Sequence, residues 1–109
     1  MANTFKLKTK ANVGVSTVGI YTAPASTTTV VIGITLSNIS GSGVNVGVGI
    51  TRAGTTEDVK LLKNAPIPSG SSLEFMAGNK IVLETTDTVT VDSDTNNSVD
   101  AALTIMEIT

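Results

Sequence analysis

The sequence predicts an all-β chain, a β-sandwich or jelly-roll-like fold of eight or nine short, mostly antiparallel strands. Three observations carry this. Apolar residues alternate with polar ones in nearly every segment, the period of a half-buried strand. Turn-forming Gly, Pro, Asn and Asp recur at short intervals, as in sandwiches and barrels. Composition is that of strands: 40% hydrophobic and 3% aromatic, with Val, Ile and Thr prominent. A chain of 109 residues fits one domain, 1–109, able to bury roughly 65% of its unfolded surface.

The segments follow in order. Phe5 to Lys10 alternates, with Phe5, Leu7 and Thr9 on one face and Lys6, Lys8 and Lys10 on the other. It reads as an edge strand with a solvated lysine face. Val13 to Tyr21 reads as a second strand, interrupted by Gly14 and Gly19. Asn12-Val13-Gly14-Val15 is echoed at Asn45-Val46-Gly47-Val48, text too short to establish a repeat. Pro24 marks a loop over 22–26.

Thr28 to Arg52 is the organising stretch. Two strands are joined by Asn38-Ile39-Ser40-Gly41-Ser42-Gly43, which predicts a hairpin. Val30, Ile32, Ile34 and Leu36 share one face, as do Val44, Val46, Val48 and Ile50. The opposite face is nearly bare: Thr29, Val31, Gly33 and Thr35, then Asn45, Gly47, Gly49 and Thr51.

Ala53 to Thr56 is a break. Glu57 to Asn64 suits a short helix by its charges, but a strand with Val59 and Leu61 inward fits its neighbours better. Pro66 to Gly70 is a turn, with Pro68 in second and Gly70 in fourth position. Ser72 to Met76 and Lys80 to Glu84 form strands across a Gly78-Asn79 turn, with Leu73, Phe75, Ile81 and Leu83 inward. Thr85 to Asp87 turns again. Thr88 to Asp92 carries Val89 and Val91. A polar turn, Asp92 to Ser98, leads to Val99–Ile108, with Val99, Ala101, Leu103 and Ile105 inward.

Composition restricts the chemistry. The chain has no Cys and no His, which removes thiol catalysis, His-dependent triads and the usual zinc ligands. Net charge is −2 and the pI about 4.8, so no basic field favours a nucleic-acid backbone. The three aromatics, Phe5, Tyr21 and Phe75, are too few for base or sugar stacking. The first ten residues form no recognisable signal peptide. No apolar run approaches the roughly 20 residues of a membrane span.

Candidate sites are correspondingly weak. Asp92-Ser93-Asp94-Thr95-Asn96-Asn97 begins like a calcium loop, but its sixth position is Asn97 and its twelfth Leu103. Even with Asp100 nearby, it reads as a solvated turn. Glu74 and Glu84 sit at outward positions, where charge is expected without a catalytic pair. Lys60 and Lys63 read as surface charges. Gly41-Ser42-Gly43 opens no helix and is a turn. No catalytic residue, metal or cofactor is expected.

Glycines on a strand face suggest a tight neighbour, either another subunit or another segment of this chain. The candidate interface is Gly33, Thr35, Asn45, Gly47 and Gly49. A large residue at Gly47 is expected to leave the monomer folded and abolish assembly.

Residues 20–38 (IYTAPASTTTVVIGITLSN), 67–75 (IPSGSSLEF) and 79–91 (NKIVLETTDTVTV), with the apolar C-terminal strand, resemble small virion proteins of tailed bacteriophages. The resemblance spans about residues 20–108. It implies a non-enzymatic virion structural protein, most simply a capsid decoration (cement) protein. Its partners would be copies of itself, as a trimer, and the major capsid protein or another virion protein, in the virion and assembled in the host cytoplasm. Tail, baseplate or fibre subunits are the alternative, and a calcium- or sugar-binding module is a further one. Neither nucleic acid nor membrane is an expected partner.

Overall fold

A computed structural model describes residues 2–52, 57–75 and 80–109. It contains nine strands: β1 (Asn3–Val13), β2 (Val18–Thr22), β3 (Thr28–Asn38), β4 (Val44–Arg52), β5 (Glu57–Ile67), β6 (Ser72–Phe75), β7 (Ile81–Leu83), β8 (Thr88–Ser93) and β9 (Val99–Ile108). Sheet I has the order β1-β9-β3-β6, with β7 also on β3, and sheet II the order β2-β8-β4-β5. All pairings are antiparallel.

β6 and β7 lie end to end along β3: Phe75 pairs with Ile34 and Ile81 with Val31. Counted as one interrupted strand, they leave two sheets of four. Consecutive strands alternate between the sheets, except at β4–β5, which pair side by side. This is jelly-roll connectivity. Between the sheets lie Leu36, Leu83, Leu103 and Ile105 from sheet I and Val46, Val48 and Val91 from sheet II, all buried. Each such aliphatic side chain contributes about 1.5–3 kcal/mol relative to exposure.

The expected hairpin over Thr28–Arg52 is not one. β3 and β4 belong to different sheets, so residues 39–43 cross the end of the sandwich as an arch. Asn38, buried at the end of β3, organises that crossing. Its Nδ2 donates to the carbonyls of Ser42 (2.8 Å) and Ile67 (2.9 Å), and its Oδ1 accepts from Ser40 N (2.9 Å) and Ser40 Oγ (2.8 Å). The side chain supplies the partners that a crossing backbone would otherwise lack.

The phase of β3 also differs from expectation. A bulge between Val31 and Gly33 shifts its register against β9. Thr29 and Val31 face inward before it, and Ile34, Leu36 and Asn38 after it. Val30 and Ile32 are thereby left half-buried. In β4 the expected inward set Val44, Val46, Val48 and Ile50 is buried.

β1 runs further than expected, to Val13, and β2 begins only at Val18. Asn12 takes φ 58°, and its N–H donates to Asp100 Oδ1 (3.0 Å). Asn45, by contrast, lies within β4, so the echoed four-residue texts have different conformations. β1's faces are reversed too. Lys6, Lys8 and Lys10 pair with Ile105, Leu103 and Ala101, the inward residues of β9. Phe5 and Leu7 face out, 69% and 65% exposed.

β5 is the strand preferred over the helix. Leu61 is half-buried beside Val48 and Leu103, while Val59 is 41% exposed at the sandwich edge. The turn after β5 places Pro68 first, since Ser71 N donates to Pro68 O (3.1 Å). Gly70 is therefore in third position, with φ 73°, as a type II turn requires. The expected break at 53–56 and the Gly78-Asn79 turn lie outside the described residues.

Candidate assembly surface

The outer face of sheet I is apolar along one straight row. Cross-strand pairing aligns Phe5 with Met106, Met106 with Val30, and Val30 with Val82. The row crosses the whole sheet, and its ends are open: Phe5 is 69% and Val82 57% exposed. Beside it runs a shallow groove of ≈ 280 Å³ lined by Ile32, Gly33, Thr35, Glu74, Ala102 and Thr104.

A buried polar cluster fixes which side of β1 faces out. Glu107 is 6% exposed and accepts from Tyr21 Oη at Oε2 (2.6 Å). Lys6 Nζ lies 2.8 Å from its Oε1. Tyr21 Oη also contacts Thr29 Oγ1 (2.8 Å). The cluster ties β1, β3 and β9 to β2 of the other sheet. A one-residue slip of β1 would turn Lys6 away from Glu107 and every other side chain with it. The lysines are thus an inward-pointing charged face, and Phe5 and Leu7 are presented outward by default.

The cluster has a pH signature. The hydrogen bond from Lys6, then that from Tyr21, holds the Glu107 carboxyl below its ordinary range against opposing desolvation. Its contribution to stability is present above that range and is lost as pH falls below it. Burial, then the Glu107 hydrogen bond, pushes the Tyr21 phenol from 10.0 up to about 12. A raised folded value means stability that is complete below pH 10 and is lost as pH rises toward 12. Tyr21 is the single tyrosine, so ultraviolet titration reads it alone. The folded protein should ionise with a midpoint near 12, and the urea-unfolded chain near the ordinary ~10. Tyr21→Phe should flatten the stability loss above pH 10.

The residues expected to form one interface are divided by the fold. Gly33 and Thr35 line the groove on sheet I. Asn45, Gly47 and Gly49 belong to β4 of sheet II. Gly47 and Gly49 are buried by their own chain. A Cβ on Gly47 would stand 2.6 Å from Asp92 Oδ1 and 3.3 Å from Leu62 O. One on Gly49 would stand 2.8 Å from Val59 O. These glycines admit the neighbouring strands, and a large residue at Gly47 would strain the monomer itself. A Cβ added at Gly33 would have Phe75 O, 3.8 Å away, as its nearest atom, which leaves that position open to an outside partner. Phe5, Met106, Val30 and Val82 were not among the residues the sequence singled out. Their signal was present in Phe5, but its exposure depended on the phase of β1.

The loop carboxylates diverge. Asp92 Oδ2 accepts from Thr17 Oγ1 (3.0 Å) and lies 3.9 Å from Lys60 Nζ. Asp94 Oδ1 accepts from Asn45 N (3.1 Å), and Asp100 holds Asn12. Among the described residues no three Asp or Glu are grouped to hold a metal. Glu84 pairs with Arg52, while Glu74 lines the groove.

No protein-family model matches the sequence, and no curated protein matches it. Solved structures do resemble the fold. A chain of Bacillus endospore appendages, described as disulfide-linked pili, has TM-score 0.57 at 17% identity, covering 99% of this chain and 87% of that one. A chain of the T13 IBDV viral particle has TM-score 0.59 at 12% identity, covering 96% of this chain. This chain spans 30% of that viral chain's length. At such identities the likeness concerns the fold.

Proposed function

We propose that the chain is a non-enzymatic structural subunit of a virus particle, a capsid decoration protein of a tailed-phage head. It would bind the major capsid protein and copies of itself, as a trimer, in a virion assembled in the host cytoplasm. The observation that carries this is the open apolar row across sheet I. Four aligned side chains on a sheet face are surface a soluble monomer has no use for. The fold's likeness to a chain of an icosahedral particle and the sequence's resemblance to small phage virion proteins support the same reading. Trimerisation would add multivalency to weak individual contacts.

A second reading is a filament subunit, favoured by the near-complete mutual coverage with the endospore appendage chain. With no Cys, such a filament would be held without disulfides. Immunogold labelling of purified particles separates the readings. Label on heads is expected. Label confined to tails would move the assignment to a tail, baseplate or fibre subunit. Label on free filaments would favour the second reading, and unlabelled particles would overturn the virion role.

A further inference from the structure

The two edges of sheet I differ in a complementary way. At the β1 edge, residues Asn3–Lys10 hold one unbroken register with β9, and no proline or bulge interrupts that run. Its outward side chains are Phe5 and Leu7, and its inward ones Lys6, Lys8 and Lys10. The opposite edge, at β7, ends outward in Val82. Inward, it opens between the sheets into a mouth of ≈ 390 Å³ lined by Ile50, Arg52, Val59, Ile81, Glu84 and Asp87. Glu57 and Asp58 follow on β5, opposite Arg52 and Thr51. One edge is therefore basic beneath an apolar rim, the other acidic beneath an apolar rim.

Strand polarity fits as well. β1 is antiparallel to β9, β9 to β3, and β3 to β7. A translated copy would therefore bring its β1 antiparallel to β7. Its Phe5 would extend the row past Val82, and its lysines would project toward the acidic mouth.

We propose that copies of this chain associate head to tail, the β1 edge of one against the β7 edge and mouth of the next. This rests on the structural-subunit reading and names its self-contact. Inward lysines normally guard an edge strand against pairing; the acidic mouth makes pairing favourable at one partner surface. Such a heterologous contact closes into a ring or continues as a filament according to its rotation, so it is compatible with a trimer.

The absence of cysteine gives a clean test. Within one copy, positions 5 and 82 lie three strand spacings apart, about 14 Å, beyond disulfide reach. Across the proposed contact they would be adjacent-strand neighbours at ~4.5–5.5 Å between Cα atoms, within it. The full-length chain carrying Phe5→Cys and Val82→Cys should, on mild oxidation at high concentration, give covalent oligomers beyond the dimer on a denaturing gel. Each single variant should give at most traces of dimer. Adding Lys8→Glu and Lys10→Glu to the double variant should remove the oligomers, with circular dichroism confirming a folded chain. Monomer alone from the folded double variant, or efficient dimer from Phe5→Cys alone, would overturn the head-to-tail contact. The virion role is read separately, by whether the wild-type chain labels particles.

Discussion

Asn38→Leu is expected to lower the unfolding free energy by ~2–4 kcal/mol, measured by urea denaturation. The estimate comes from leaving buried polar groups unpaired, at about 1–3 kcal/mol each. Leucine nearly matches asparagine in volume, so packing changes little. What disappears is the donor to Ile67 O and the acceptor for Ser40 N. Ser42 O retains Ser40 Oγ as a donor, so it is not counted. Asn38→Asp should be no milder: it keeps the acceptor but sets a carboxylate against two carbonyl oxygens. A loss below ~0.5 kcal/mol, the scale of an ordinary surface substitution, would mean that the arch finds its partners elsewhere.

Gly49→Val is expected to cost about 1–3 kcal/mol, the range for overpacking. The obstruction is backbone: the Val59 carbonyl, 2.8 Å from the first added carbon, with Thr90 Oγ1 at 3.1 Å. A backbone group yields only if β5 moves away from β4. Gly33→Ala is the control. Its added carbon meets nothing closer than 3.8 Å, so monomer stability should hold within about 0.5 kcal/mol. Equal losses at both positions in thermal unfolding would contradict the packing described for β4 and β5. At Gly47 the nearest obstruction is a side chain, Asp92. That side chain is engaged with Thr17, so relief there has its own cost.

The sequence by itself determined the class of fold and most strand positions, because side-chain alternation is a local property of an extended chain. Val44, Val46, Val48 and Ile50 were legible as one buried face, and so were Val99, Ala101, Leu103 and Ile105. Neighbour choice was not legible. Residues 39–43 suit either a hairpin or an arch, since alternation says which face is apolar and not which strand lies alongside. Asn38 held a partial clue: it continues the inward phase of Ile34 and Leu36, where a polar side chain must find partners.

Phase within β3 turned on a single bulge at 31–33, which no alternation count registers until the partner strand is known. The faces of β1 inverted for an energetic reason outside the segment. Glu107, at the far end of the chain, needs a cation within the sandwich, and Lys6 supplies it. That contact turned Phe5 and Leu7 to the outside and created the apolar row. The glycines showed that something comes close. Tertiary structure decided that at Gly47 and Gly49 it is the chain's own strands, and that Gly33 alone of the three stays open, because β3 and β4 present their bare faces on opposite sides of the sandwich.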